Sequence, residues 1–389
     1  MMKKKICILT ATRAEYGLLK SIITKFIKVA ELDVRIVVTG AHLSPEFGLT
    51  YKEIERDGIC IDKKIEILLS SDTPTAISKT MGLAIMGFAD YFAQLEPNML
   101  VVVGDRYETL AVCCAAMNQK IPIAHLYGGE TTEGVVDECI RHAISKFSYL
   151  HFTSTEVYRR RVIQLGEQPD RVFCVGAIGI ENIQNEKLLS KADLEIAIDF
   201  KLDKPYAMVT FHPVTLENSN SENQFKAILN VCEKHKDMAF VFSKANADAD
   251  GRIINQMLDT YIKEHDNAVG FDSLGMIRYL SALKYCAMVI GNSSSGLIEA
   301  PSFGIPTINI GDRQKGRLQG ESVINCEPIA IGIEKAIALA LTKEYKNNAR
   351  NAVNPYGDGN TSDKIIDKVK EFLMNEKIDL KKKFYDCEV

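Results

Sequence analysis

The chain has 389 residues, which exceeds the size at which a single hydrophobic core usually stops growing, so two domains are expected. A hydrophobic fraction of 46%, a charged fraction of 25% and a net charge of -4 exclude the strongly basic surface that nucleic-acid binding requires. No apolar run has the length of a membrane-spanning helix, and the ten cysteines and seven histidines form no C-x-x-C or H-x-x-x-H motif. We therefore expect a soluble, cytoplasmic protein with no membrane partner, no disulfide framework and no metal site.

Short apolar, β-branched runs alternate with helical patterns along the chain, which predicts βα units and parallel sheets. The first series of predicted strands is Ile6–Thr10, Val34–Val38, Met99–Val103, Ile123–His125, Leu150–Thr153 and Val172–Val175. Helices are predicted over Ala76–Leu95 and Tyr107–Asn118. After a polar stretch, a second series follows: Tyr206–Phe211, Met238–Phe242, Met288–Ile290 and Thr307–Ile310. The pattern predicts an α/β fold of two Rossmann-like domains facing a central cleft, with domains at 1–185 and 186–361. The lysine-rich stretch Lys377–Lys383 predicts a solvated helix end or tail.

Polar and charged residues follow the first-domain strands, at the sheet edge where ligands of open α/β folds bind. The loop after the first strand contains Arg13, and it offers backbone N–H groups and a bidentate donor to a phosphate. A capped helix start with a surface arginine is the alternative. Asp105 and Arg106 follow Met99–Val103 and suit proton transfer or ribose contacts, although Asp105 could equally cap the next helix.

The loop after His125 is dense in carboxylates, which include Glu130 and Asp137 and precede Arg141. Carboxylates crowded in one site repel each other, so one can serve as an acid while another serves as a base. This loop is therefore a candidate for catalysis. Alternatively, Arg141 is an ion-pair partner of Asp137 on one helix face.

The second domain has its own candidate loops. His212 follows a strand and precedes a proline, which holds it on an extended turn. Ser293, Ser294, Ser295 and Gly296 form a turn between a strand and a helix, where hydroxyls and helix N–H groups can hold a diphosphate. A serine-rich helix cap is the alternative. Glu299 is a candidate acceptor for a ribose diol, and Arg313 supplies a cation.

Taken in order, these motifs resemble the hydrolysing UDP-N-acetylglucosamine 2-epimerases of the bacterial sialic-acid and legionaminic-acid branch. The matching motifs are Thr12-Arg13-Ala14-Glu15-Tyr16, Gly104-Asp105-Arg106, His125 with Gly128-Gly129-Glu130, Arg141-His142, His212-Pro213-Val214, Gly291-Asn292-Ser293-Ser294, Arg313-Gln314 and Asn354-Pro355-Tyr356-Gly357-Asp358-Gly359. The resemblance implies a GT-B-like fold whose final helix, about 362–389, packs back on the first domain. It also implies a UDP-linked sugar substrate, no cofactor and a homodimer or homotetramer.

The resemblance implies a reaction in which a base removes the C2 proton while UDP leaves C1, and water then adds to the resulting 2-acetamidoglucal. Carried over by residue, the catalytic candidates are Asp105, Glu130, Asp137 and His212. The nucleotide contacts are Arg13, Arg106, Arg141, His212, Ser293, Ser294, Ser295, Gly296, Glu299 and Arg313. In related branches a carboxylate follows the histidine by two positions, where this chain has Tyr127. Either Glu130 takes over that role or the assignment within this loop differs.

Three questions stay open at this stage. The sugar is N-acetylglucosamine or N,N'-diacetylbacillosamine, and the nucleotide is UDP or GDP. A GT-B glycosyltransferase shares the architecture and the donor but needs an acceptor. A non-catalytic nucleotide-sugar sensor would bind without turnover.

Overall fold

The computed structural model describes residues 3–69, 71, 73–132, 136–213, 220–245, 251–357, 359–375 and 378–387. Val214 and Asp358, which belong to the motifs quoted above, lie outside this set. Internal contacts divide the chain into two compact units. The first unit comprises Met1–Glu130, Asp137–Asn182 and Gly357–Val389, and the second comprises Thr131–Val136 and Ile183–Tyr356. No helix in the described part is long and apolar enough to cross a membrane.

Each unit contains one sheet, and every strand pairing within it is parallel. The strands of the first sheet are β1 Lys4–Thr10, β2 Leu32–Thr39, β3 Lys63–Ile65, β4 Met99–Val103, β5 Ile123–Leu126, β6 Leu150–Thr153 and β7 Val172–Cys174. Those of the second are β8 Tyr206–Thr210, β9 Ala239–Ser243, β10 Ala268–Phe271, β11 Met288–Gly291, β12 Thr307–Ile310 and β13 Val323–Cys326.

Helices connect the strands and cover both faces of each sheet. The helices up to the second sheet are α1 Arg13–Ile27, α2 Tyr51–Arg56, α3 Pro74–Leu95, α4 Tyr107–Asn118, α5 Asp137–Phe147, α6 Glu156–Gln164, α7 Ile178–Asn185 and α8 Lys191–Ile198. The later helices are α9 Ser221–Lys234, α10 Gly251–Glu264, α11 Gly275–Tyr285, α12 Ser295–Ile298, α13 Ala330–Leu341, α14 Lys343–Asn351 and α15 Thr361–Asn375.

The strand order is β3-β2-β1-β4-β5-β6-β7 in the first sheet and β10-β9-β8-β11-β12-β13 in the second. The order therefore reverses between β1 and β4, and again between β8 and β11. At such a reversal the loops after two neighbouring strands diverge and leave a crevice at the carboxyl ends of the strands. These orders confirm the predicted α/β fold of two Rossmann-like units, and they identify the two strand pairs around which ligand-binding loops are expected.

Both faces of the central strands are buried, which explains their nearly continuous apolar sequences. In β1, for example, Ile6 and Ile8 belong to one hydrophobic cluster, whereas Cys7 and Leu9 belong to the cluster on the opposite face. The ten predicted strands are all present, and β3, β10 and β13 are additional. Each additional strand lies at a sheet edge. Edge strands are covered less completely, so they need no strong apolar pattern.

The last helix, α15, packs against α1 within the first unit. Val369 and Phe372 of α15 join the same hydrophobic cluster as β1. The buried carboxylate of Glu181 accepts a hydrogen bond from the Ser362 backbone N at 2.6 Å and forms an ion pair with Lys25 Nζ at 2.8 Å. A carboxylate at a helix N-terminus is stabilised by the helix dipole, so Glu181 anchors the start of α15.

Candidate active site

The loop between β1 and α1 closes on itself through Glu15. Thr12 Oγ1 accepts from the Glu15 backbone N at 3.3 Å, and Glu15 Oε2 accepts from the backbone N of Ala11 at 2.6 Å and of Thr12 at 3.1 Å. This reciprocal capping box satisfies amides that were predicted to be free for a phosphate, so that prediction is wrong for these three residues. The Arg13 side chain is about one-third exposed and lies 3.8 Å from Glu53. Phosphate binding by this loop therefore depends on Arg13, and that role stays a prediction.

Two buried carboxyl groups lie near Arg106. Burial raises the pKa of Glu15 to about 7, a rise that the charge of Arg106 opposes and that of Glu108 reinforces. Arg106 Nε donates to Glu108 Oε2 at 3.3 Å. Sequence reasoning assigned no role to Glu15 or Glu108, although the spacing of Thr12 and Glu15 is a capping-box signature.

Arg141 connects the candidate carboxylates of the first unit. Its guanidinium is buried, with 1% of the side chain exposed. Nη1 donates to Glu130 O at 2.9 Å and to Glu138 Oε2 at 2.6 Å, and Nη2 pairs with Asp105 Oδ2. Burial alone would lower the pKa of Arg141, but the neighbouring carboxylates outweigh it and raise that pKa. Asp105 is therefore held against α5. It does not cap α4, because the N-cap residue of that helix is Arg106.

Glu130 is held in place on both sides. Its carboxylate is buried, and Oε1 accepts from Ser154 Oγ at 2.8 Å. The preceding residue, Gly129, has φ +77°, and a Cβ there would lie 2.4 Å from Tyr158 O, so only glycine fits. With Arg141 on its carbonyl oxygen, Glu130 has a fixed backbone and a fixed side chain.

Two other side chains, His125 at the end of β5 and Tyr127 directly after it, hold this part of the chain in place. Burial lowers the pKa of His125 to about 3, so the neutral imidazole donates from Nε2 to Gly104 O at 2.8 Å. Tyr127 has φ +68°, and its hydroxyl oxygen accepts from the Ile178 backbone N at 2.7 Å. Because Ile178 is the first residue of α7, Tyr127 satisfies a backbone N–H at the N-terminus of that helix.

Asp137 is the first residue of α5 and is half-buried. The next residue, Glu138, interacts with Arg141 and also lies 3.1 Å from His142 Nε2. Glu138 was not among the predicted site residues, and its i,i+3 spacing to Arg141 was the available signal. The acid–base role of Asp137 stays a prediction.

In the second unit, Asn292 joins the ends of β8 and β11. Its Oδ1 accepts from the His212 backbone N at 2.7 Å, and its Nδ2 donates to His212 O at 2.7 Å. Gly291 has φ +135°, and a Cβ there would lie 1.9 Å from Thr210 O, so the strand ends approach too closely for another residue. The backbone of His212 is therefore fixed. Sequence reasoning gave Asn292 no role, although an amide directly after a buried strand was a usable signal.

His212 and Arg313 contribute different properties to this site. Burial, reinforced by the nearby charge of Arg313, lowers the pKa of His212 to about 3, so the imidazole is neutral. Arg313 Nη1 and Gln314 Nε2 both donate to Asn292 O, at 3.0 and 2.8 Å. Any phosphate held here would therefore meet a positive charge on Arg313 and a neutral hydrogen-bonding group on His212.

The serine turn after β11 leads into the short helix α12. Ser293 Oγ accepts from the Ser295 backbone N at 3.4 Å, and Ser295 Oγ accepts from the Tyr279 hydroxyl at 2.6 Å. Helix α12 has four residues, so Glu299 follows its last residue instead of lying inside it. Pro301 has no N–H to continue the helix. A helix this short has a small dipole, which contributes little to anion binding.

Gly296 allows α12 to pack closely on β12. A Cβ at Gly296 would lie 2.7 Å from Thr307 Cγ2, and Thr307 Oγ1 donates to Gly296 O at 2.7 Å. Ser294 is the N-cap residue of α12, but its side chain makes no capping hydrogen bond. The alternative of a serine-rich cap therefore does not account for Ser294. Within the described residues, no group of three or more His, Cys, Asp and Glu side chains is arranged to hold a metal ion.

Two doubly wound sheets with polar and charged loops at both order reversals define a protein of the nucleotide-binding α/β class. The model of one family, described as UDP-N-acetylglucosamine 2-epimerase, matches residues 25–370. The chain belongs to this family, and it is an enzyme that acts on a nucleotide sugar.

Individual relatives match almost the whole chain. It is 45% identical over 389 residues to the GDP/UDP-N,N'-diacetylbacillosamine 2-epimerase (hydrolyzing) of Campylobacter jejuni, covering 99% of this chain and 100% of the relative. It is 38% identical to polysialic acid biosynthesis protein P7 of Escherichia coli, covering 98% and 97%. The crystal structure of a UDP-GlcNAc 2-epimerase from Neisseria meningitidis bound to UDP-GlcNAc is similar with a TM-score of 0.80 at 20% identity, covering 94% and 100%. At that identity the similarity concerns the fold, which is GT-B-like.

Proposed function

We propose that this chain is a hydrolysing 2-epimerase whose substrate is a UDP- or GDP-linked N,N'-diacetylbacillosamine. The products are the nucleoside diphosphate and the free manno-configured diacetamido sugar. The identity of 45% to a full-length relative named for this substrate supports the choice. UDP-N-acetylglucosamine is the second candidate, because the family model carries its name and a 38% identical relative is named for polysialic acid biosynthesis.

The reaction needs two proton transfers at one carbon. A base removes the C2 proton as the C1–oxygen bond to the nucleoside diphosphate breaks, which gives a 2-acetamidoglucal. Water then supplies a hydroxyl group to C1, and an acid returns a proton to C2 on the opposite face. Two separate acid–base groups are therefore required, in different protonation states at each step.

The observation that carries this proposal is the cluster around Arg141. The Arg141 guanidinium pairs with the Asp105 carboxylate and donates to the carbonyl oxygen of Glu130. The carboxylate of Glu130 accepts a hydrogen bond from Ser154. Two carboxylates with fixed positions at neighbouring strand ends suit a two-base epimerisation. We assign Asp105 and Glu130 as the principal acid–base pair, and Asp137 as a third candidate on α5.

The nucleotide contacts keep the assignments that the resemblance implies. Arg13, Arg106 and Arg313 supply positive charge for the diphosphate, and His212 and the serine turn supply neutral hydrogen-bonding groups. Glu299 is assigned to the ribose hydroxyls. A homodimer or homotetramer in the cytoplasm is part of the same proposal, and light scattering of the purified protein would test its oligomeric state.

Proton NMR in D₂O tests the reaction directly. UDP- and GDP-diacetylbacillosamine and UDP-N-acetylglucosamine are incubated with the enzyme in parallel. We expect free nucleoside diphosphate and a manno-configured sugar that carries deuterium at C2, with the diacetamido substrate consumed fastest. No turnover of any of the three would contradict the proposal, and tight binding without turnover would favour the sensor.

Two variants connect the reaction to the site. Asp105→Asn should abolish C2 deuteration, whereas Glu344→Gln, which changes an exposed carboxylate on α14, should leave it unchanged. A glycosyltransferase would instead need an added acceptor, so release of free sugar in its absence excludes that rival.

A further inference from the structure

The segment formed by residues 378–387, which we call the distal segment, is docked on the first unit. It lies beyond the end of the family match at residue 370. Residues 379–387 are exposed, as expected for a solvated helix end or tail, but the segment also makes specific contacts with the first unit. Tyr385 backbone N donates to Gly166 O at 2.9 Å, and Gln168 Nε2 donates to Lys383 O at 3.2 Å.

The distal segment packs against a position of the first unit that only glycine can occupy. Gly166 has φ +89°, and a Cβ there would lie 2.3 Å from the Phe384 ring. The Lys146 ammonium lies 5.2 Å from the centroid of that ring. The ring thus occupies space that any other residue at position 166 would fill.

Lys382 makes the most specific contacts of the distal segment. Its Nζ donates to Lys146 O at 2.9 Å and to Ser148 O at 2.7 Å, and it lies 2.6 Å from Glu167 Oε2. Glu167 is 1% exposed and also contacts His151 Nε2 at 3.1 Å. Burial would raise the pKa of Glu167, but these partners outweigh it and lower that pKa to about 2. Glu167 is therefore ionised and holds the Lys382 ammonium in place.

The two carbonyl groups that Lys382 contacts lie at the C-terminal end of α5. The last carbonyls of a helix have no partner within the helix, and a cation at that end is stabilised by the helix dipole. The opposite end of α5 carries Asp137, and Arg141 lies about 7.5 Å along the axis from Lys146 at 1.5 Å per residue. One helix thus joins Lys382 to the carboxylate cluster.

We propose that Lys382 is a positioning residue for the epimerase reaction, which caps the C-terminal end of α5 and thereby holds Arg141 and its carboxylate partners in register. This inference rests on the proposed function for its catalytic consequence, but not for the clamp on α5. A displacement of α5 by about 1 Å would move the Arg141 guanidinium relative to Asp105 and would lower turnover by about 100-fold.

Hydrogen exchange and steady-state kinetics of Lys382→Ala test the proposal. We expect amides of residues 137–147 to exchange about tenfold faster, since a capped helix end would be released. We expect kcat to fall about tenfold or more while KM changes less than twofold, because none of the proposed substrate contacts lies in the distal segment. Lys382→Arg should recover part of the loss, and Lys381→Ala, which changes an exposed neighbour, should match the wild-type chain.

A second variant covers the case in which Lys382→Ala does not fold. Lys382→Met in the full chain keeps the length of the side chain and removes its charge, and it should show the same faster exchange of α5 and the same loss of kcat. Unchanged exchange of α5 in Lys382→Ala would overturn the clamp. If the wild-type enzyme turns over no nucleotide sugar, the proposed function fails, and the exchange measurement still decides whether Lys382 clamps α5.

Discussion

Replacing Arg141 by lysine retains the positive charge but removes the planar group that reaches three acceptors at once. Arg141 contacts Asp105, Glu138 and the carbonyl oxygen of Glu130, and an ammonium group in its place reaches one of them. Two hydrogen bonds are lost, each worth about 1–2 kcal/mol when charged or buried groups are involved. We therefore expect the free energy of unfolding of Arg141→Lys to fall by about 2–4 kcal/mol.

The catalytic effect of Arg141→Lys should exceed its effect on folding. In this variant one side chain no longer holds both Asp105 and Glu130 in position. Misplacement of a reacting group by about 1 Å lowers the rate by about 100-fold. We expect kcat to fall by that factor at temperatures where the variant is fully folded. Arg141→Met should be less stable still, by about 3–5 kcal/mol relative to the wild type, because it leaves carboxylates without their counter-charge.

Urea unfolding followed by circular dichroism gives the free energies, and release of nucleoside diphosphate gives kcat. Arg160→Lys is the matched control, since the Arg160 side chain is 76% exposed and lies 4.0 Å from Glu156. It should stay within about 0.5 kcal/mol of the wild type. If Arg141→Lys behaves like this control in both assays, Arg141 does not organise the carboxylates and the reasoning is refuted.

Three further predictions follow from individual contacts. Burial raises the pKa of Glu15 to about 7, so Glu15 binds a proton more tightly in the folded protein than in the unfolded chain. The free energy of unfolding should therefore fall as pH rises from about 4.5 to about 7. Glu15→Gln should remove this pH dependence, as measured by urea unfolding at several pH values. A slope that persists in Glu15→Gln belongs to another group. Gly129→Ala should lower the free energy of unfolding by about 2 kcal/mol or more, because its Cβ would lie 2.4 Å from Tyr158 O. The control Gly58→Ala, with φ +76° but open space around the Cβ, should lower it by about 1 kcal/mol. Equal losses would show that backbone strain alone acts. The pKa of His212 is lowered to about 3, so its imidazole NMR signals should stay constant between pH 5 and pH 8, and its contribution to stability should be lost only as pH falls below about 6.5; a midpoint near pH 6.5 would contradict the burial argument.

The central strands could be predicted because both of their faces are buried, and burial on both faces requires an unbroken run of apolar residues. The edge strand β3, Lys63–Ile65, carries no such pattern, because its two lysines are exposed. The end of α12 at Ile298 was not predicted, although Pro301 two residues after Glu299 cannot donate a hydrogen bond to continue the helix. Local sequence patterns therefore predicted the class of fold, but not the additional edge strands or the end of α12.

The candidate site divides in the same way. Loops after strands were identifiable because parallel strands end at one edge, which placed Asp105 and His212 correctly after β4 and β8. The pairings of those side chains could not be predicted, because Asp105 pairs with Arg141 36 positions away and the His212 backbone bonds Asn292 80 positions away. The same holds for Lys382, whose partner Glu167 lies far away in the sequence.

The anchoring of α15 has a consequence for the order in which the chain matures on the ribosome. The first unit takes Val369 and Phe372 into its hydrophobic cluster, yet those residues are synthesised after the whole of the second unit. The larger part of the second unit is contiguous, from Ile183 to Tyr356. We therefore expect the second unit to reach its native state first during translation. Until α15 is synthesised, part of the apolar surface of the β1–β7 sheet stays uncovered. Chaperones that recognise exposed apolar surface would accordingly engage the amino-terminal half of the nascent protein, which reverses the usual amino-to-carboxyl sequence of domain folding.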